Sequence, residues 1–168
     1  GDATFEYLAD VAWPTGGVPT VVAQTRDQRT LVVLEVDPSS GATTERTRIV
    51  DDHWVDLVPG TPRLDGGAIL TVESRDGTNR LVVDGVAVSP DGLQVRSVAG
   101  IAGDGAVVVL ASGDPLDVEV VRISRDGATE VVAGGEGVHS VAVGGGVVVV
   151  STATLEGSSM VVLPGGHV

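Results

Sequence analysis

Leu81-Val82-Val83-Asp84-Gly85-Val86-Ala87-Val88 holds two short apolar runs separated by an Asp-Gly pair. Asp-Gly accepts the positive φ angles of the turn whose twist suits adjacent antiparallel strands, so these eight residues read as a β-hairpin. Turns of this kind recur along the chain at Ser39-Ser40-Gly41, Arg125-Asp126-Gly127 and Pro164-Gly165-Gly166. Their glycines, Gly41, Gly85, Gly127 and Gly166, fall 44, 42 and 39 residues apart. A period near forty marks a repeat, and four short strands per repeat is the arithmetic of a β-propeller blade. Ser89-Pro90-Asp91-Gly92 offers another turn for the second repeat. Asp84-Gly85 is preferred because apolar runs flank it and because it evens the spacing.

A second set of turns alternates with the first: Thr15-Gly16-Gly17, Asp65-Gly66-Gly67, Gly103-Asp104-Gly105 and Gly144-Gly145-Gly146. Strands are expected between the turns, at about 6–13, 19–25, 30–37 and 43–50; 55–64, 68–74, 79–84 and 86–89; 93–101, 105–112, 117–124 and 128–133; and 138–144, 146–153 and 158–163. Valine supplies 35 of the 168 residues, and its β-branched side chain suits a pleated sheet better than a helix. Alternation agrees: Phe5, Tyr7, Ala9, Val11 and Trp13 share one face of a strand, as do Thr43, Glu45, Thr47 and Ile49. No window of helical periodicity escapes interruption by Gly or Pro. The expected fold is all-β, a partial propeller of about four blades with four antiparallel strands each. The blades cover roughly 5–52, 53–90, 91–135 and 136–168 of a single fragment, and the last is incomplete.

Such an arc does not close. Half a dozen Val or Leu side chains on a bare end face each forgo about 1.5 to 3 kcal/mol of burial. That sum, on the order of 10 kcal/mol, rivals the whole stability of a typical domain. The arc is therefore expected to lean on further blades or to associate with another copy through its end blades.

Charge excludes several partners. Twenty-three acidic residues stand against ten basic ones, all arginine, for a net charge of −13. The arginines are scattered, so no basic patch is available for a nucleic-acid backbone or an anionic membrane surface. The longest apolar runs, Val147 to Val150 and Ala106 to Ala111, are far short of a membrane span. There is no cysteine, hence no disulfide and no thiolate metal site. The composition fits a soluble chain, cytoplasmic or secreted.

Several short stretches, taken in order, carry a resemblance. They are Glu6-Tyr7-Leu8-Ala9-Asp10-Val11-Ala12-Trp13, Gln24-Thr25-Arg26-Asp27-Gln28, Val36-Asp37 with Gly41, and Asp52-His53-Trp54-Val55-Asp56. Further along come Glu73-Ser74-Arg75-Asp76-Gly77, Val98-Ala99-Gly100-Ile101 and Gly137-Val138-His139-Ser140-Val141. Together they resemble the N-terminal propeller region of the dipeptidyl peptidase IV family of serine peptidases. The resemblance implies the later half of an eight-bladed propeller, and a parent enzyme that releases dipeptides from peptide N-termini, usually after proline or alanine. The partners it implies are the remaining blades, an α/β-hydrolase domain absent from this chain, and the parent's peptide substrate. The chain would wall and gate access to that domain's active site. The alternative is a free-standing propeller serving as a binding scaffold or sensor without enzymatic activity.

Two departures from the family pattern stand out. Aromatic residues number four where the family is rich in them, and Asp56-Leu57-Val58-Pro59 offers no aromatic or arginine side chain to line a substrate cavity.

No catalytic, cofactor-binding or metal-binding residue is expected. The Gly-x-Ser-x-Gly nucleophile elbow of a serine hydrolase is missing; Gly137 to Val141 lacks its second glycine, and Ser140 beside His139 on a strand faces the other way. The family's adjacent glutamate pair does not occur either. His53, His139 and His167 are too widely spaced for a metal site, and Asp114, Asp117 and Glu119 lack the glycine and spacing of a calcium loop. Asp51-Asp52-His53 reads as a solvated turn. Gly134-Gly135-Glu136-Gly137 reads as an interblade loop, since no helix follows to bind phosphate. Trp13 and Trp54 are expected to anchor blade cores; exposure at the ring's central channel would make them ligand contacts instead.

Overall fold

The computed structural model describes residues 4–13 and 17–163. Among them valine alternation and glycine turns produce fifteen strands, and no helix. None, therefore, is long and apolar enough to cross a membrane. The strands form four antiparallel sheets, each built from consecutive strands in chain order. This is a partial β-propeller. The chain divides into two compact units, Gly1–Leu57 and Val58–Val168.

The first unit is one four-stranded sheet, β1 (Tyr7–Ala12), β2 (Thr20–Gln24), β3 (Thr30–Val36) and β4 (Thr43–Val50). Leu31, Val32 and Val33 are buried in succession along β3, and Val22 is buried opposite Val33. Gln24 is buried too, and its amide is satisfied by donating to the Val55 carbonyl at 3.2 Å. The turn from β3 to β4 is held by Asp37, which accepts from the Ser40 hydroxyl at 2.5 Å and from the Ser39 backbone N–H at 2.9 Å. The Thr15-Gly16-Gly17 turn falls on residues that are only partly described, and Pro164-Gly165-Gly166 and His167 lie outside the described residues.

The second unit contains three sheets. One holds β5 (Arg63–Asp65), β6 (Ala68–Arg75), β7 (Thr78–Val83) and β8 (Val86–Ala87). The next holds β9 (Gln94–Ile101), β10 (Val107–Ser112), β11 (Glu119–Ile123) and β12 (Thr129–Ala133). The last is three-stranded, with β13 (Val138–Gly144), β14 (Val147–Thr154) and β15 (Gly157–Leu163). Asp84-Gly85 is the β7–β8 turn, with Asp84 at φ 46° and Gly85 at φ 82°.

The middle sheet explains the valine runs. On β10, Val107, Val109 and Ala111 join a core with Leu70, Val72 and Leu81 of the preceding sheet. The opposite face of the same strand puts Val108 against Val148 and Val150 of the following sheet. A strand covered on both faces needs consecutive apolar residues, and Val107-Val108-Val109 supplies them. Gly100 sets the spacing to the last sheet: a Cβ there would lie 2.7 Å from Cβ of Val143.

One expected strand is mostly absent. The stretch expected at 55–64 pairs only over Arg63–Asp65. Pro59 and Pro62 have no N–H to give a ladder, and Gly60 turns at φ 85°. The Pro59 carbonyl instead accepts the Val98 N–H at 2.8 Å, and the Val58 carbonyl accepts the Thr61 hydroxyl at 3.0 Å.

Candidate functional site

The last sheet has two unlike faces. Its 1:1 register pairs Val141 with Val150 and Val143 with Val148, and these side chains point into the core shared with the middle sheet. The other face carries Val138, Ala142, Val147, Met160 and Val162 into solvent, with Val138 74% and Met160 69% exposed. Exposed apolar residues grouped on one sheet face mark an interaction surface rather than scattered surface residues. At one end of this face lies an open cavity of about 660 Å³, lined by Val138, Ala153, Leu155, Glu136 and Glu156. Carboxylates beside apolar side chains can bind a ligand.

Gly134-Gly135-Glu136-Gly137 is the loop from β12 to β13 and so forms one wall of that cavity. The opposing wall, Thr154-Leu155-Glu156 at the β14–β15 turn, was not foreseen from sequence. An exposed leucine inside a turn was the only signal for it.

His139 is buried on β13 while Ser140 is exposed, so the two point to opposite faces as the strand period requires. Its Nδ1 lies 2.9 Å from the Thr152 hydroxyl and its Nε2 lies 3.4 Å from the Gly135 carbonyl. The carbonyl can only accept, so Nε2 donates to it, and the Thr152 hydroxyl completes the hydrogen bond at Nδ1. Both ring nitrogens are engaged in holding the β12–β13 loop to the sheet.

The remaining candidates sit in turns. Asp51 accepts the backbone N–H of His53 at 2.8 Å and of Trp54 at 3.2 Å, and the His53 ring is exposed. Asp114 accepts the Leu116 N–H at 2.9 Å, and its carbonyl accepts the Asp117 N–H at 3.1 Å. Among the described residues no group of three His, Asp or Glu side chains could hold a metal ion.

Trp13 and Trp54 do not anchor cores. They are 70% and 62% exposed. Trp13 follows the end of β1 and Trp54 lies in the connection after β4, so neither occupies a ladder position facing a packed sheet. The Trp54 indole N–H is satisfied locally, donating to Asp56 at 2.8 Å.

Turn carboxylates carry the electrostatic signature of the fold. Donation from the Ser40 hydroxyl, then from the Ser39 backbone and hydroxyl, pulls Asp37 down to about 2 from its ordinary 3.8. Asp104 is lowered by the Ala106 N–H and, to a lesser degree, by Arg122, and Asp27 chiefly by the Thr25 hydroxyl. In each case hydrogen bonds favour the charged form.

Comparison with known proteins accords with this geometry. A family model described as the dipeptidyl peptidase IV N-terminal region matches residues 1–100. Among solved structures, the crystal structure of Porphyromonas gingivalis dipeptidyl peptidase 4 superposes with a TM-score of 0.77 at 17% identity, over 93% of this chain and 24% of that one. At that identity the likeness is one of fold, and this chain spans about a quarter of the length of that enzyme. No curated protein matches the chain. With the family model covering well over half of its residues, the chain belongs to the dipeptidyl peptidase IV N-terminal region family.

Proposed function

We propose that this chain is a noncatalytic propeller segment of a dipeptidyl-peptidase-IV-like serine peptidase. It walls and gates the route to the active site of an α/β-hydrolase domain that lies outside residues 1–168. The observation that carries this reading is the family match over residues 1–100. Two others support it: the sequence contains no nucleophile elbow, and among the described residues the one buried histidine, His139, has both ring nitrogens engaged by Thr152 and Gly135. The parent's substrate is a peptide with a free N-terminus. The bare face of the β13–β15 sheet, in this reading, packs against remaining blades in the parent and against another copy when the chain stands alone.

The test is the product of the full gene. It should cleave Xaa-Pro chromogenic dipeptides and lose that activity to a serine-directed phosphonate, while residues 1–168 alone release no chromophore. A full gene product without a Gly-x-Ser-x-Gly elbow and without dipeptidyl-peptidase activity would overturn the proposal.

A further inference from the structure

Six Asp-Gly pairs occur in the sequence: Asp65-Gly66, Asp76-Gly77, Asp84-Gly85, Asp91-Gly92, Asp104-Gly105 and Asp126-Gly127. Asp-Gly is the peptide link at which an aspartate carboxyl and the next backbone nitrogen can close into an imide, because glycine places no side chain in the way. Closure needs a free carboxyl and a free nitrogen. The structure distributes these unequally.

Five pairs are tied. Asp65 is held by Arg125, and Asp91 by Arg80. Asp84 accepts the Ile69 N–H at 2.9 Å. Asp104 accepts the Ala106 N–H at 3.2 Å and is paired with Arg122, while the Gly105 N–H donates to Ala102 at 2.9 Å. Asp126 accepts the Ala128 N–H at 3.2 Å, and the Gly127 N–H donates to Ser124 at 3.0 Å. At Asp76-Gly77 neither group is held. Among the described residues no hydrogen bond or ion pair reaches the Asp76 carboxylate, and the Gly77 N–H has no acceptor. Both residues are exposed at the tip of the β6–β7 hairpin, with φ 52° and 76°, and nothing lies within 4 Å of where a Gly77 Cβ would stand.

We infer that Asp76-Gly77 is the site at which this protein undergoes spontaneous aspartate isomerisation. The Gly77 nitrogen attacks the side-chain carbonyl carbon of protonated Asp76. The N–H proton and the carboxyl hydroxyl leave as one water, closing a five-membered imide. Water then adds at the imide's backbone carbonyl and breaks its bond to the Gly77 nitrogen. The chain now runs through the former side chain, and the former backbone carbonyl is a free carboxylate. Composition is unchanged and no electrons are transferred. The product has an extra methylene in a two-residue turn, which the Arg75–Thr78 pairing of this hairpin cannot accommodate without slipping.

The test ages the folded full-length gene product at mildly acidic pH in heavy-oxygen water and maps the six pairs by mass spectrometry and by resistance to an aspartate-specific endoprotease. Isomerised Asp76 should accumulate severalfold faster than any of the other five, and the preference should collapse in concentrated urea. Asp76→Glu should abolish the signal, and Arg125→Gln should raise isomerisation at Asp65. An even distribution in the folded protein, another pair leading, or an unchanged Asp65 in the Arg125→Gln protein would overturn the inference.

Discussion

The Arg125 guanidinium donates to the Asp65 carboxylate across 60 residues of sequence, joining the turn after β11 to the end of β5 in the neighbouring sheet. Both side chains are about a third exposed, so solvent screens the pair. Arg125→Ala should lower stability by about 0.5 to 1 kcal/mol, and added salt should shrink the difference between variant and parent. Urea midpoints at low and high salt check both points.

Gly60 and Gly41 both have positive φ, but only Gly60 is crowded. A Cβ at Gly60 would sit 1.9 Å from the Val98 carbonyl oxygen, whereas nothing lies within 4 Å of one at Gly41. Gly41→Ala should cost only the left-handed penalty of about 1 to 2 kcal/mol. Gly60→Ala should cost that and also displace the Val58–Pro59 segment from β9. Thermal melting of the two variants should separate them clearly, with Gly60→Ala the lower.

Asp37 supplies an acid-sensitive lock on the β3–β4 turn. Its folded value of about 2 lies below the ordinary 3.8, so its contribution is fully present above 3.8 and is lost as pH falls toward 2. Asp37→Asn should flatten stability against pH in that window and leave the neutral range without this dependence. Carboxyl titration of Asp37 by NMR, with urea midpoints across the same pH range, measures it. An Asp37 titrating at its ordinary value would contradict the assignment.

Leu81 is fully buried between sheets, whereas Met160 and Val162 stand on the bare face. Leu81→Ala should cost roughly 2 to 5 kcal/mol. Met160→Ser with Val162→Ser should change the stability of residues 1–168 by no more than about 0.5 kcal/mol. The double variant should also sediment with less self-association than its parent. Equal association would show that this face is not the contact.

Strand positions were legible in the sequence because period-two alternation and glycine turns are local properties. The β10 run of Val107, Val108 and Val109 and the Asp84-Gly85 turn both stand where local chemistry puts them. What was not legible depends on neighbours. Trp13 and Trp54 are the bulkiest side chains present, yet both lie beyond the strand ends and stay exposed. The shortness of β5 was written in Pro59 and Pro62, whose missing N–H groups outweigh the apolar character of Val55 and Val58. The cavity walled by Glu136 and Glu156 could not be read locally, since its sides come from two connections that meet only once β13 and β14 pair.

The reading of this chain as a noncatalytic wall is tested most directly by labelling the full-length gene product with a serine-directed phosphonate and mapping the modified residue. The account predicts one labelled serine, outside residues 1–168. Label on Ser140 or any other serine of this chain, or no label anywhere in an intact folded product, would contradict it.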